Sequence, residues 1–122
     1  FVSVSREKIP IYLSLANLSV LFYRHGLRST GCSPTKLAEL FAMNVPVIVN
    51  SGVGDLDTLI SLESAGSRIV ENYEDECLRN AVQDVLTWNE KNKIDIRERS
   101  SGFDLSFGVS SYAALYRKIL ET

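Results

Sequence analysis

Two short runs in this sequence carry residue types suited to holding a phosphorylated ligand. The first is Gly31-Cys32-Ser33-Pro34-Thr35-Lys36-Leu37-Ala38-Glu39. Serine followed by proline predicts a helix start, with Ser33 capping free N–H groups and Pro34 in the first helical position. Such an N-terminus offers bare amides, the positive end of the helix dipole, two hydroxyls and Lys36, a combination that suits phosphate. The second run is Gly52-Val53-Gly54-Asp55, where two missing side chains would let a ligand approach the backbone. Each run also has a plainer reading. Ser-Pro commonly does no more than cap a helix, and Lys36 with Glu39, three apart, suits an ordinary surface ion pair. Glu39 shares a stripe with Thr35, away from the apolar stripe of Leu37, Leu40 and Phe41, so it faces either a cleft or water. Asp57 stands where a dinucleotide fingerprint needs its third glycine, which argues against NAD.

The other reactive side chains add little. His25 is the single histidine and has no partner at a telling spacing, so neither a Ser-His-Asp triad nor a metal site follows. Cys32 adjoins the helix start that could lower its pKa, yet a small buried role fits it better. The acidic run from Glu71 to Glu76 reads as enrichment ahead of a helix, and Trp88, Tyr112 and Tyr116 read as packing groups. No metal ligand set and no cofactor motif stands out.

These residues need elements to position them. The chain has 122 residues, 45% of them apolar, which is enough for one domain with a core. Thirteen Lys+Arg against fifteen Asp+Glu leave a net charge of −2, which advertises neither a nucleic-acid nor an anionic-membrane partner. No apolar run approaches a membrane span, no signal peptide is visible, and Cys32 and Cys77 read as free thiols of a cytosolic protein. The start at Phe1, inside an apolar segment, suggests a piece of something longer.

Strand and helix patterns alternate. Phe1–Val4 alternates like a strand; Ser5 caps a helix with Pro10 in its first turn and apolar spacing to Asn17; and Leu18–Phe22 is a second strand, buried on both faces. Gly26–Cys32 reads as a loop. The helix from Ser33 closes at a left-handed Asn44, and the third strand is Pro46–Val49. Asp55 caps a helix running through Leu62 to Gly66, and Ser67–Val70 is the fourth strand. A helix opens at Asp75 with Leu78, Ala81, Val82, Val85 and Leu86 on one side. Helices are expected again at Ile94–Ser100 and Ser106–Leu120, packed across the sheet or toward a missing neighbour. The alternation predicts an α/β domain whose parallel sheet of about four strands is covered by helices on both faces.

Segment Ile9–Val20, the block Ser33–Val49 and Gly52–Asp55, in that order, resemble the C-terminal domain of GT-B-fold glycosyltransferases of the group 1 (family 4) class, polysaccharide type. The signature of that class reads Glu-Ala-Met-Ala-x-Gly-x-Pro-Val-Ile, and the resemblance covers nearly the whole chain. It implies one truncated, Rossmann-like, nucleotide-sugar-binding domain spanning residues 1–122, with no metal and no cofactor. It also implies a longer protein whose N-terminal acceptor domain lies outside the chain. By resemblance Glu39 is the catalytic-site acid and would hold the donor ribose hydroxyls. Gly31, Ser33, Thr35 and Lys36 would lie along the diphosphate, and Val4, Ser5 and Arg6 would border the nucleobase. Gly31 occupies the position of a glutamate that usually touches the transferred sugar, and the Arg and Lys that usually clamp the pyrophosphate have no counterpart.

The function so implied is sugar transfer from a nucleoside-diphosphate sugar to a glycan or lipid-linked acceptor. The full-length protein would be cytoplasmic, with peripheral association at the inner membrane surface, and the isolated chain would be inactive. Two alternatives are a GT-B-fold sugar-nucleotide epimerase and a non-catalytic flavodoxin-like binding or signalling module. A receiver-type module would want acidic residues where this chain has Val4-Ser5. By resemblance the complete sheet has order 3-2-1-4-5-6, with Phe1–Val4 its third strand and Leu18–Phe22 its fourth. Loss of the first two strands would leave Leu18–Phe22 as an open edge. Either Phe1–Val4 pairs beside it, or two copies of the chain meet edge to edge.

Overall fold

The computed structural model describes residues 2–61, 66–93 and 95–121. Its centre is a three-stranded parallel sheet of β1 (Ser19–Leu21), β2 (Val47–Asn50) and β3 (Arg68–Val70), in the order β1-β2-β3. Ser19 stands opposite Val47, and Ile48 opposite Arg68. The helices are α1 (Ile9–Leu13), α2 (Leu27–Thr30), α3 (Thr35–Ala42), α4 (Leu56–Leu59), α5 (Asp75–Asn92) and α6 (Leu105–Leu120). Two 3₁₀ segments, Arg6–Lys8 and Ile96–Phe103, join them.

The period-2 alternation of β2 divides the core between the two faces of the sheet. Val47 and Val49 pack with Leu37, Leu40 and Phe41 of α3, with Val53 and Leu56, and with Ile96. Ile48 points the other way, to Val70 and to Ala81 and Val85 of α5. Helices therefore cover both faces, and the fold is Rossmann-like α/β, as the alternation predicts.

α3 ends as expected. Asn44 has φ +60°, the Val45 N–H donates to the Leu40 carbonyl and the Asn44 N–H donates to that of Phe41. This is the Schellman arrangement, with asparagine in the position usually given to glycine. The Asn44 side chain also accepts from the Ile96 N–H at 2.7 Å, tying the 3₁₀ segment to the end of α3.

Several expectations are corrected. The described part of Phe1–Val4 is not a strand: Val2 is 70% exposed, and among the described residues the sheet has three strands, not four. Leu18–Phe22 is accordingly an edge rather than a doubly buried strand. Val20 is 51% exposed, and among the described residues β1 pairs with β2 alone. The Ser5 carbonyl instead accepts the Lys8 N–H at 3.0 Å, which turns the chain into the 3₁₀ segment Arg6–Lys8. The loop Gly26–Cys32 contains the short α2, held by the Ser29 hydroxyl on the Gly26 carbonyl at 2.8 Å. Pro34, not Ser33, occupies the N-cap of α3, and no side chain caps it; Ser5 and Asp55 likewise make no side-chain cap. Asp55 supplies its carbonyl instead, to the N–H groups of Thr58 and Leu59. α4 stops at Leu59; the expected stretch around Leu62, like Phe1 and Ile94, lies outside the described residues.

Candidate functional site

In an open parallel sheet, ligands collect beyond the carboxyl ends of the strands. Here those ends are tied by Asn50, buried at the end of β2. Its side-chain oxygen accepts the Tyr23 N–H at 2.7 Å, and its amide donates to the Ser51 carbonyl. The bond holds the segment after β1 against the end of β2. Burial, and secondarily the neighbouring Cys32, push the Tyr23 hydroxyl pKa upward.

The segment then runs through α2 to Cys32, where it meets the glycine turn. Gly54 has φ +51°, its N–H donates to the Ser29 carbonyl at 2.8 Å, and a Cβ there would collide with the backbone carbonyl of Cys32. The space at Gly54 is therefore filled by the chain itself, not left for a ligand. Gly52, φ +70°, is more open: its N–H donates to the Asp57 carboxylate, and the His25 ring lies over it. Beside this junction is a hollow of about 210 Å³ lined by Thr30, Gly31, Cys32, Ser33, Gly54 and Asp55.

A second depression, a groove of about 230 Å³, lies between α1 and α3. Ile9, Pro10, Leu13, Ala42 and Met43 give it apolar walls, and Arg6 and Glu39 supply one charge of each sign. Among the described residues neither Arg6 nor Glu39 forms an ion pair, nor does Lys36, whereas Arg68 and Asp84 pair at 3.0 Å on the far side of the sheet. Both carboxylate and guanidinium are thus available to an incoming molecule.

The residues expected to form one site fall into these two places. Gly31 and Ser33 line the hollow, whereas Arg6 and Glu39 line the groove. Thr35 and Lys36 are exposed on the first turn of α3 between them. One helix turn, about 6 Å, separates Thr35 from Glu39. Val4 and Ser5 line neither depression; the Ser5 carbonyl accepts the Lys8 N–H and starts the 3₁₀ segment that presents Arg6. Sequence reasoning missed the apolar walls of the groove because Ile9, Leu13 and Met43 have the spacing of ordinary core residues. It also missed Asn50, whose signal was a lone amide ending an apolar strand.

Another hollow, of about 460 Å³, runs along β3 and α5 beside the Arg68–Asp84 pair. Among the described residues no group of three or more His, Cys, Asp or Glu is arranged to hold a metal ion, and both cysteines are free. No described helix is long and apolar enough to cross a membrane.

No protein-family model matches the chain. Nor does any curated protein. Among solved structures, sucrose-phosphate synthase from Thermosynechococcus elongatus matches with a TM-score of 0.69 and 24% identity over 99% of this chain. The chain spans 30% of the length of that protein. At this identity the likeness shows a shared fold: the Rossmann-like arrangement described above is one that a glycosyl-transferring enzyme also contains.

Proposed function

We propose that the chain is the donor-binding part of a glycosyltransferase that moves a sugar from a nucleoside-diphosphate sugar to a glycan or lipid-linked acceptor. One observation carries the reading. Arg6 and Glu39, distant in sequence, meet in a single apolar-walled groove that adjoins the first turn of α3. A nucleoside needs such a groove, with apolar walls for the base and a carboxylate to accept from the ribose hydroxyls. The structural neighbour, a sucrose-phosphate synthase, supports the same class of reaction.

In this reading Glu39 accepts from the ribose hydroxyls and Arg6 borders the base. The diphosphate runs past Thr35 and Lys36 toward Gly31 and Ser33. During transfer the bond from the anomeric carbon to the diphosphate oxygen breaks, and a bond to the acceptor oxygen forms as that hydroxyl passes its proton to the departing diphosphate. Lys36 and the α3 amides stabilise the charge growing on the departing diphosphate, an electrostatic contribution to the rate. The acceptor is presented by polypeptide outside these residues, so the chain by itself binds without turning over. The longer protein works in the cytoplasm, at the inner membrane surface where its acceptor is lipid-linked.

Calorimetric titration of the chain with the common nucleoside diphosphates tests the reading. Weak binding is expected, reduced by Arg6→Ala. Absence of binding to every one at millimolar concentration, with the cooperative unfolding transition intact, would refute the donor-site assignment.

A further inference from the structure

In the groove between α1 and α3, Arg6 and Glu39 are the side chains able to form strong hydrogen bonds. The walls at Ile9, Pro10, Leu13 and Met43 present hydrocarbon and a thioether, which shelter a ring but give it no direction. The backbone beside them is already engaged. The Ser5 carbonyl accepts the Lys8 N–H at 3.0 Å, the Arg6 carbonyl accepts that of Ile9, and Pro10 has no N–H to give. Across the groove the Glu39 carbonyl accepts the Met43 N–H at 3.2 Å. Directional recognition inside the groove thus falls to Arg6 and Glu39. They carry opposite charges yet make no ion pair with each other, so each is left to meet a different part of one ligand.

We infer that Arg6 reads the nucleobase and makes the site prefer guanine. The inference rests on the donor-site reading, in which Glu39 is committed to the ribose hydroxyls and Arg6 is left to the base. A guanidinium carries N–H donors in a planar fork and no acceptor, so it selects a base edge made of acceptors. Guanine presents O6 and N7 side by side, and the fork meets both at once. Adenine sets an amino donor beside N7, so one arm of the fork would face another donor. Uracil, like thymine, offers a single carbonyl oxygen on that edge, and cytosine offers an amino group. The bicyclic purine also covers more of the apolar wall than a pyrimidine does. A fork matched to its base in this way discriminates against the wrong base by about tenfold or more.

Calorimetric titration of the chain with guanosine, adenosine, uridine and cytidine diphosphates tests the inference. Guanosine diphosphate should bind about tenfold more tightly than adenosine diphosphate, and more tightly than either pyrimidine nucleotide. Arg6→Lys keeps the charge and removes the fork, so binding should persist with the affinities drawn to within about threefold of one another. Lys8→Ala removes a neighbouring cation that does not line the groove, and should keep the guanine preference. Arg6 and Lys8 are both exposed, so the unfolding transition should be unmoved in either variant. Equal affinities in the unaltered chain, a preference for another base, or a guanine preference that survives Arg6→Lys or is lost in Lys8→Ala would overturn the role of Arg6 and leave the donor site standing. Failure of every diphosphate to bind at millimolar concentration, with cooperative unfolding intact, would remove the donor site and this inference with it.

Discussion

β2 and α6 are both apolar, yet they meet opposite fates. All four residues of β2 are buried, with Val47 and Val49 fully removed from solvent. α6 has a longer run of large apolar side chains and buries none of them. Hydrophobic content does not by itself decide burial. β2 is buried because strands flank it on both edges and helices cover both faces, whereas α6 follows the 3₁₀ segment Ile96–Phe103 away from the sheet. Stability should therefore concentrate around β2 rather than at the periphery.

The largest effect expected from this contrast is at Phe41, 1% exposed between α3 and the sheet. Phe41→Ala should cost about 3–5 kcal/mol in urea denaturation. Leu27→Ala, at 95% exposure, should stay within about 0.5 kcal/mol. Comparable losses at both positions would dissolve the distinction between core and periphery.

Next come the glycines of the site. Gly54→Ala meets the Cys32 carbonyl and a positive φ at once, and should cost on the order of 2–3 kcal/mol. Gly31→Ala finds open space and an ordinary φ of −101°, and should cost far less in the same denaturation series. Equal costs would mean that the turn around Gly54 is not held as described.

Glu39→Gln sharpens the contrast in another way, since Glu39 is exposed and its loss should leave the unfolding midpoint unchanged. In the longer protein it should weaken nucleotide-sugar binding by about 1.5–3 kcal/mol, the worth of a hydrogen bond to a charged group. Unaltered affinity would remove Glu39 from the donor site.

The smallest effect concerns the start of α6. The Ser106 hydroxyl and backbone N–H both donate to the Asp104 carboxylate and hold its pKa below the ordinary 3.8. A lowered folded value means that the stabilisation is present above the unfolded pKa and is lost as the pH falls through the folded one. Helical circular dichroism should thus decline slightly in strong acid, with the midpoint below 3.8, and Asp104→Ala should abolish that step. An identical acid titration in the variant would show that Asp104 contributes nothing to the cap.

Local signals in the sequence determined the α/β alternation, the span of α3, its left-handed end at Asn44, the central strand and the long helix from Asp75. Each rests on interactions within a few residues: the 3.6 or 2 periodicity of apolar side chains, and a polar residue that tolerates positive φ. The candidate site was legible in parts. Glu39 was recognisable as off the apolar stripe and Ser33-Pro34 as a helix start, because both depend on helix geometry alone. Tertiary structure decided what those parts do together. It brought Arg6 to Glu39, separated both from Gly31 and Ser33, and filled the space at Gly54 with the Cys32 carbonyl rather than leaving it for a ligand. It also decided that the residues after Phe1 do not join the sheet and that the apolar face of α6 is left bare. Those outcomes follow from which distant segments compete for the same edge or face, and no local pattern encodes the result of that competition.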